Sequence, residues 1–430
     1  MKIAMIGTGY VGLVTGTCFA ELGNNVICVD NDIAKIEKLK SGIIPIYEPG
    51  LDEMVKKNCD AKRLSFTSDI KDAVKVSSII FIAVGTPPKE NGEADLSSVE
   101  KVSSIIADVM TEYKLVVGKS TVPVNTGKWI KKTINLRNTK GVNFDVASNP
   151  EFLREGSAID DFLRPDRIVI GVESERAKNI LTELYKPIDA PILVTDIESA
   201  EIIKHASNSF LATKISFINA ISVICERAGA DVIQVAEGMG LDKRIGKHFL
   251  NAGAGFGGFC FPKDLGAFIK IAENLGYDFK LLKAVSEIND EQKKAIVKKV
   301  KENVWNLGGK TVGVLGLSFK PNTDDIRYAP SIDILRDLIS EGAKIRVYDP
   351  KAMERTKEIF SDITYCDNPY EVCDGSDALV ILTEWDEFKK LDLKKVKKLL
   401  RTAVIIDGRN IFEPETLRKM GFVYTGIGRK

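Results

Sequence analysis

Histidine is almost missing from this chain of 430 residues, with His205 and His248 the only two. An imidazole-rich metal centre therefore has too few ligands. The G-x-S-x-G turn that presents a nucleophilic serine is absent as well, which leaves a Ser-His-Asp triad without its usual support. Cysteine is sparse. The seven (Cys18, Cys28, Cys59, Cys225, Cys260, Cys366 and Cys373) are odd in number and show no C-x-x-C spacing, which argues for a reducing compartment and against a disulfide or zinc framework. Neither charge is in excess: 61 Lys and Arg face 60 Asp and Glu, for a net charge of +1. Chains that neutralise a nucleic-acid backbone concentrate positive charge, so nucleic acid is not an expected partner, whereas anionic small molecules are.

What is present is ordinary globular composition, 44% hydrophobic and 28% charged. The chain is too long for one core, since a domain takes about 100–200 residues. Residues 3–20 carry no charge and follow Lys2, a pattern shared with signal peptides and membrane spans. Gly7, Gly9, Gly12 and Gly16 interrupt the run where a strand, a tight turn and a helix need them. A cytoplasmic protein without a membrane partner is expected.

Apolar runs at 2–6, 25–30, 79–84, 115–119, 145–148 and 167–172 alternate with helical patterns, which predicts a parallel sheet covered on both faces. The alternation restarts near Lys310 with runs at 311–315, 344–349, 378–382 and 404–407. Asp30 ends one run much as Asp349 ends its counterpart, so two doubly wound α/β units are expected. Between them Thr195-Asp196-Ile197-Glu198 spells a capping box, and no Pro or Gly follows until Gly229. A helix of about 50 Å results, long enough to bridge domains or join subunits. The Lys-rich stretch 389–401 reads as one solvated amphipathic helix.

Gly7-x-Gly9-x-x-Gly12 follows a strand and opens a helix, as a dinucleotide site requires: a tight turn, backbone access to a pyrophosphate, and close helix–strand packing. Asp30 ends the next strand 30 − 12 = 18 residues on, where a carboxylate accepts ribose hydrogen bonds and repels a 2′-phosphate, favouring NAD over NADP. Lys35 weakens that exclusion slightly. A second signal lies at 251–264, where Gly253, Gly255, Gly257 and Gly258 precede Cys260 and a helix start, so that backbone can approach a ligand and the dipole favours thiolate. A small apolar packing residue is the competing reading of Cys260. Lys204 and Asn208 stand four apart, hence on one helix face. Glu151 and Glu155 follow a strand at the sheet edge where ligands bind.

Gly7–Gly12, Lys119-Ser-Thr121-Val-Pro-Val, 148–156, 204–219, 255–264, Phe319-Lys320-Pro-Asn-Thr-Asp-Asp-Ile-Arg327 and Asp407-Gly-Arg409 together resemble the UDP-glucose/GDP-mannose dehydrogenase family from end to end. Within it, Asn149-Pro-Glu151-Phe-Leu and Gly257-Gly-Phe-Cys260-Phe look most like the UDP-glucose branch; Phe259 departs from the serine that many members carry there. The resemblance implies two Rossmann-like doubly wound units joined by a long central helix: 1–194 for NAD, 195–305 for dimerisation and the cysteine loop, and 306–430 for the UDP-sugar. It also implies an NAD-dependent oxidation of a sugar C6 alcohol through a Cys260 thiohemiacetal and thioester, in a homo-oligomer with the dimer as minimum unit. By the same resemblance Lys204 and Asn208 stabilise oxyanions, Asp264 joins the proton relay, and Glu151 with Thr121 handles the hydrolytic water. Gly7, Gly9, Tyr10, Val11, Gly12, Asp30, Lys35, Thr86, Thr121, Glu155, Lys263 and Arg327 fall at cofactor positions. Glu151, Phe152, Leu153, Glu155, Lys204, Asn208, Phe249, Asn251, Gly257, Lys320 and Arg409 fall at substrate positions, and Arg244 at one that reaches a neighbouring subunit. A GDP-mannose-oxidising enzyme and an NAD sensor built of paired Rossmann units are the alternatives. Cys260, an ammonium, an amide and two carboxylates matching one catalytic layout argue against the sensor.

Overall fold

In a computed structural model that describes residues 1–89 and 91–429, the uncharged run 3–20 forms a central strand and the helix behind it. Ile3, Ala4 and Met5 have no exposed surface. The helix Tyr10–Glu21 is enclosed by the sheet and by the helices Leu51–Asp60 and Ala158–Leu163. An unpaired charge there would cost several kcal/mol, which explains why the run has none.

The chain divides into two units, 1–207 with 270–276 and 208–269 with 277–430. The first contains β1 (Lys2–Ile6), β2 (Asn25–Val29), β3 (Leu64–Thr67), β4 (Ile79–Ile82), β5 (Lys114–Gly118), β6 (Phe144–Ser148), β7 (Ile168–Val172) and β8 (Ile192–Thr195). They lie in the order β3-β2-β1-β4-β5-β6-β7-β8. Ile3 of β1 stands opposite Val26 of β2 and Ile79 of β4. The sheet is parallel from β3 to β6, but β6 and β7 are antiparallel, which the all-parallel expectation missed. The physical reason lies in the connection. Its one helix, Ala158–Leu163, has 6 residues and spans about 9 Å, short of the roughly 16 Å that a five-residue strand needs for a return crossover. The chain re-enters the sheet from the carboxyl edge instead.

The second unit has β9 (Thr311–Leu315), β10 (Lys344–Tyr348), β11 (Thr364–Tyr365), β12 (Ala378–Ile381), β13 (Val404–Asp407) and β14 (Val423–Thr425), in the order β11-β10-β9-β12-β13-β14 with every pair parallel. Its order repeats that of the first six strands of the other unit. The long helix Ile197–Ala228 has 32 residues and passes from one unit into the other; Gly229, at φ +73°, follows it. Its cap differs from the expected box. Asp196 rather than Thr195 accepts the Ser199 amide at 2.7 Å, and Glu198 pairs with Lys128. The Lys-rich stretch is also broken in two, at Asp386–Lys389 and Leu393–Leu399, because Asp392 caps the second helix by accepting from the Lys394 and Lys395 amides.

Candidate active site

In the first unit, the turn after β1 is shaped by its glycines. Gly7 takes φ +106°, and a Cβ on Gly12 would lie 1.9 Å from the Gly7 carbonyl oxygen. A Cβ on Gly9 would meet nothing within 4 Å, which leaves open space in front of the helix. The first helical bond runs from the Leu13 amide to the Gly9 carbonyl, so the amides of Tyr10, Val11 and Gly12 precede the intrahelical ladder and suit an anion. The Tyr10 hydroxyl turns away to donate to the buried Glu48, whose carboxylate also accepts the Gly156 and Ala158 amides at 2.6 and 2.8 Å. Glu48 thereby ties the loop carrying Glu155 to the start of this helix.

Asp30 closes β2. Burial opposes its charge, but the Thr8 hydroxyl at 2.6 Å, the Asp32 and Thr8 amides and Lys35 at 3.0 Å outweigh it and hold the carboxyl down at about 2. It is an acceptor at any ordinary pH. The second unit repeats the strand-end aspartate but seals it. Asp349 is buried and accepts from the Leu317 and Ser318 amides, the Ser318 hydroxyl and the Trp385 indole at 2.7–3.1 Å. Only Asp30 is left with a partly exposed edge for a ribose.

At the carboxyl edge of the same sheet, Thr121 follows β5 and its carbonyl accepts from the buried Thr86 hydroxyl at 2.9 Å. Glu151 follows β6, accepts the Leu153 amide at 2.6 Å, and pairs with Lys204 at 3.2 Å with both side chains buried. Phe152 lies against the Arg167 guanidinium at 3.7 Å and the Lys204 ammonium at 5.4 Å. A buried ion pair seldom repays its desolvation, so this one points to chemistry more than to stability. Sequence reasoning left Lys119 without a role although its motif was noticed. Its buried ammonium donates to Asn149 at 2.9 Å, and burial pushes it down to about 7.

In the second unit, Cys260 is the first residue of the helix Cys260–Asn274. Asp264, one turn on and buried, accepts from the Asn208 amide at 2.6 Å and from Lys263 at 2.5 Å. Lys263 and Arg327 both lie over the Phe259 ring, at 5.5 and 4.2 Å. The glycines before Cys260 are closely packed by protein on their Cβ side. A Cβ on Gly257 would strike the Tyr328 carbonyl at 2.3 Å, and one on Gly258 the Phe319 ring at 2.8 Å. Arg409 braces this loop by donating to the carbonyls of Gly255, Phe319 and Leu382. Phe249, at φ +64°, precedes the exposed Asn251, and Lys320 lies beside the Phe319 ring. Arg244 is 88% exposed and held to Asp242 at 2.6 Å. The other six thiols are all pushed up by burial, Cys18 and Cys373 to about 12.

A glycine turn at a helix start, an ionised carboxylate at the end of the next strand and a helix-start thiol define a dinucleotide-dependent oxidoreductase. Family models named for the UDP-glucose/GDP-mannose dehydrogenase family match its NAD binding domain at 1–189, its central domain at 198–291 and its UDP binding domain at 313–414, and the chain belongs to that family. Its cofactor is NAD. Among its relatives, UDP-glucose 6-dehydrogenase TuaD of Bacillus subtilis (strain 168) is 52% identical over 429 residues, covering 100% of this chain and 93% of that protein. The UDP-glucose 6-dehydrogenase of Rhizobium meliloti (strain 1021) is 47% identical, covering 100% of both. A solved UDP-glucose dehydrogenase from the hyperthermophilic archaeon Pyrobaculum islandicum is 42% identical with a TM-score of 0.93, covering 100% of this chain and 98% of that one.

Asp30→Ala is expected to weaken NAD binding and to narrow the preference over NADP. It removes a carboxylate placed where a ribose hydroxyl would donate and leaves the Lys35 ammonium, now held 3.0 Å from it, to attract a 2′-phosphate. The kcat/KM ratio for the two cofactors checks this, and an unchanged ratio would refute it.

Proposed function

We propose that this enzyme oxidises the C6 alcohol of UDP-glucose to a carboxylate, giving UDP-glucuronate. The carrying observation is Cys260 at a helix start, one turn from an Asp264 held by Asn208 and Lys263. A simple alcohol dehydrogenase has no need of a thiol there, and the relatives named above are UDP-glucose 6-dehydrogenases. Residues 1–194 hold NAD, with Asp30 on the ribose and the amides of Tyr10, Val11 and Gly12 on the pyrophosphate. Residues 306–430 hold the UDP-sugar, and 195–305 supply the cysteine loop and the subunit contact. When bound there, NAD would supply a hydride acceptor, one hydride per molecule.

An aldehyde has no second hydride to give until a nucleophile adds to its carbon. The Cys260 sulfur adds, and the proton needed by the new oxygen comes through the relay that includes Asp264. Lys204 and Asn208 hold the oxyanion. Oxidation of that thiohemiacetal leaves a thioester on sulfur, and water, oriented by Glu151 and Thr121, cleaves it and frees the thiol. The experiment is the yield of NADH per UDP-glucose consumed. Two are expected, with GDP-mannose turned over poorly; a value near one, or preference for GDP-mannose, refutes the reading.

The working unit is a homodimer in the cytoplasm, a reducing compartment that suits a chain with seven cysteines and no paired spacing. Phe210, Phe217 and Ile224 are 65%, 48% and 59% exposed at seven-residue intervals on the long helix, hence on one face, and a second copy covers them. Arg244 then serves the partner's site. Sedimentation of Phe217→Lys should show monomer where the unaltered protein shows dimer. Mixed Arg244→Ala and Cys260→Ala subunits should recover activity that neither has alone, and no recovery after verified exchange excludes shared sites.

A further inference from the structure

Three buried side chains on one face of the long helix meet the loops that follow β5 and β6, and the reaction above uses only Lys204. Glu201 and His205, at three residues before and one after, share that face by the helical repeat. They are 3% and 1% exposed. Both reach the loop that carries Thr121. One Glu201 oxygen accepts the Gly127 amide at 2.8 Å and the other the Asn125 amide at 2.7 Å, while His205 Nε2 lies 2.8 Å from the Val122 carbonyl.

The loop is fitted to the helix at this point. Asn125 takes φ +75°, and a Cβ on Gly127 would lie 2.5 Å from the Ile197 side chain, so residue 127 must be glycine for the two to meet. The Thr86 hydroxyl, on the Thr121 carbonyl, fixes the other end. An amide pair needs only neutral acceptors, and using a buried carboxylate carries a cost. Burial pushes the Glu201 carboxyl up to about 7 against the pull of both amides, with Glu198 adding to the rise and Lys128 opposing it. Such a cost is explained if the loop has to be held in one place.

We propose that Glu201 and His205 are positioning residues: they lock residues 121–127 to the helix face that carries Lys204, fixing Thr121 in the frame of the Lys204–Glu151 pair. The proposal rests on the role given to Thr121 above. Its consequence is directional. The titratable and charged groups around Glu201 are Lys204 and His205 on its own helix, Glu198 with Lys128 at 2.6 Å across the helix start, and Glu151 beyond Lys204. As pH falls through about 7, Glu201 takes a proton, one oxygen gains an O–H facing an amide N–H, and the clamp loosens. Glu201→Gln, with its NH2 against the same amide, is fixed in that loosened state.

The test is kcat for UDP-glucose oxidation against pH for the unaltered enzyme and Glu201→Gln, with NAD affinity measured alongside. In the variant, kcat at pH 8.5 should fall about 10-fold, the loss of one charged hydrogen bond. NAD affinity should hold, and the acid limb near pH 7 should vanish. A variant with unaltered kcat, or one that keeps the acid limb, overturns the proposal. If the variant does not fold, hydrogen exchange in the unaltered protein decides: protection of residues 121–127, corrected for intrinsic rates, should drop below about pH 7, and constant protection overturns it. No NADH from the unaltered enzyme would count against the proposed reaction instead, while exchange still reads the clamp.

Discussion

Cys260→Ser should abolish UDP-glucuronate formation, by at least about 10³-fold, while NAD and the UDP-sugar still bind. Serine keeps the side chain's size and its place at the helix start, so the change acts through chemistry. The helix dipole favours the thiolate form of Cys260, which a serine hydroxyl cannot match, and an ester is a poorer acyl donor to water than a thioester. The first hydride transfer needs no bond to sulfur and should survive, so one NADH per site is expected in a burst. Intact-mass spectrometry after incubation with UDP-glucose and NAD reads the outcome directly, since an ester trapped on the serine, which requires a second NADH at that site, supports covalent catalysis. The other six cysteines make poor substitutes, because burial pushes each of them up, away from the thiolate. Uronate formation near the unaltered rate would return Cys260 to a packing residue.

The parts of this molecule legible in the sequence are those set by local rules. The glycine turn, Asp30 and the 32-residue helix each follow from a few neighbouring residues, and the structure has them in those forms. β3 and β8 escaped because they are four-residue strands outside the paired centre of the sheet, with little apolar pattern of their own: Leu193 and Val194 of β8 are exposed. The antiparallel β7 escaped because strand direction depends on the length of a crossover helix that period alone does not give. The glycines before Cys260 looked like room for a ligand, and only the fold brings Phe319 and Tyr328 against them. Glu201 is 74 residues from Gly127, and no spacing rule connects a carboxylate to amides that far away. Long-range hydrogen bonds among side chain and backbone are where local reading stops.

Two glycines three positions apart should fail in opposite ways. Gly12→Ala places a methyl 1.9 Å from the Gly7 carbonyl oxygen and 3.2 Å from the Ala83 Cβ, and alanine has no rotamer with which to escape. The helix Tyr10–Glu21 has to retreat from the turn, which opens a packed core that includes Leu13, Val14 and Phe19. Overpacking of this kind costs about 1–3 kcal/mol or more, so the melting temperature should drop together with NAD affinity. Gly9→Ala is the counterpart. Its backbone, at φ −69°, is open to any residue, and its Cβ would meet no protein atom within 4 Å, so the fold should be untouched. The methyl would instead stand in the open space before the amides of Tyr10, Val11 and Gly12, where a pyrophosphate needs close backbone approach. Gly9→Ala is therefore expected to melt with the unaltered protein yet bind NAD at least about 100-fold more weakly, a difference of about 2.7 kcal/mol. Thermal melts paired with calorimetric titration of NAD separate the two. Gly9→Ala binding NAD normally would remove the pyrophosphate from this turn, and Gly12→Ala melting normally would mean that the turn yields where its backbone contacts say it cannot.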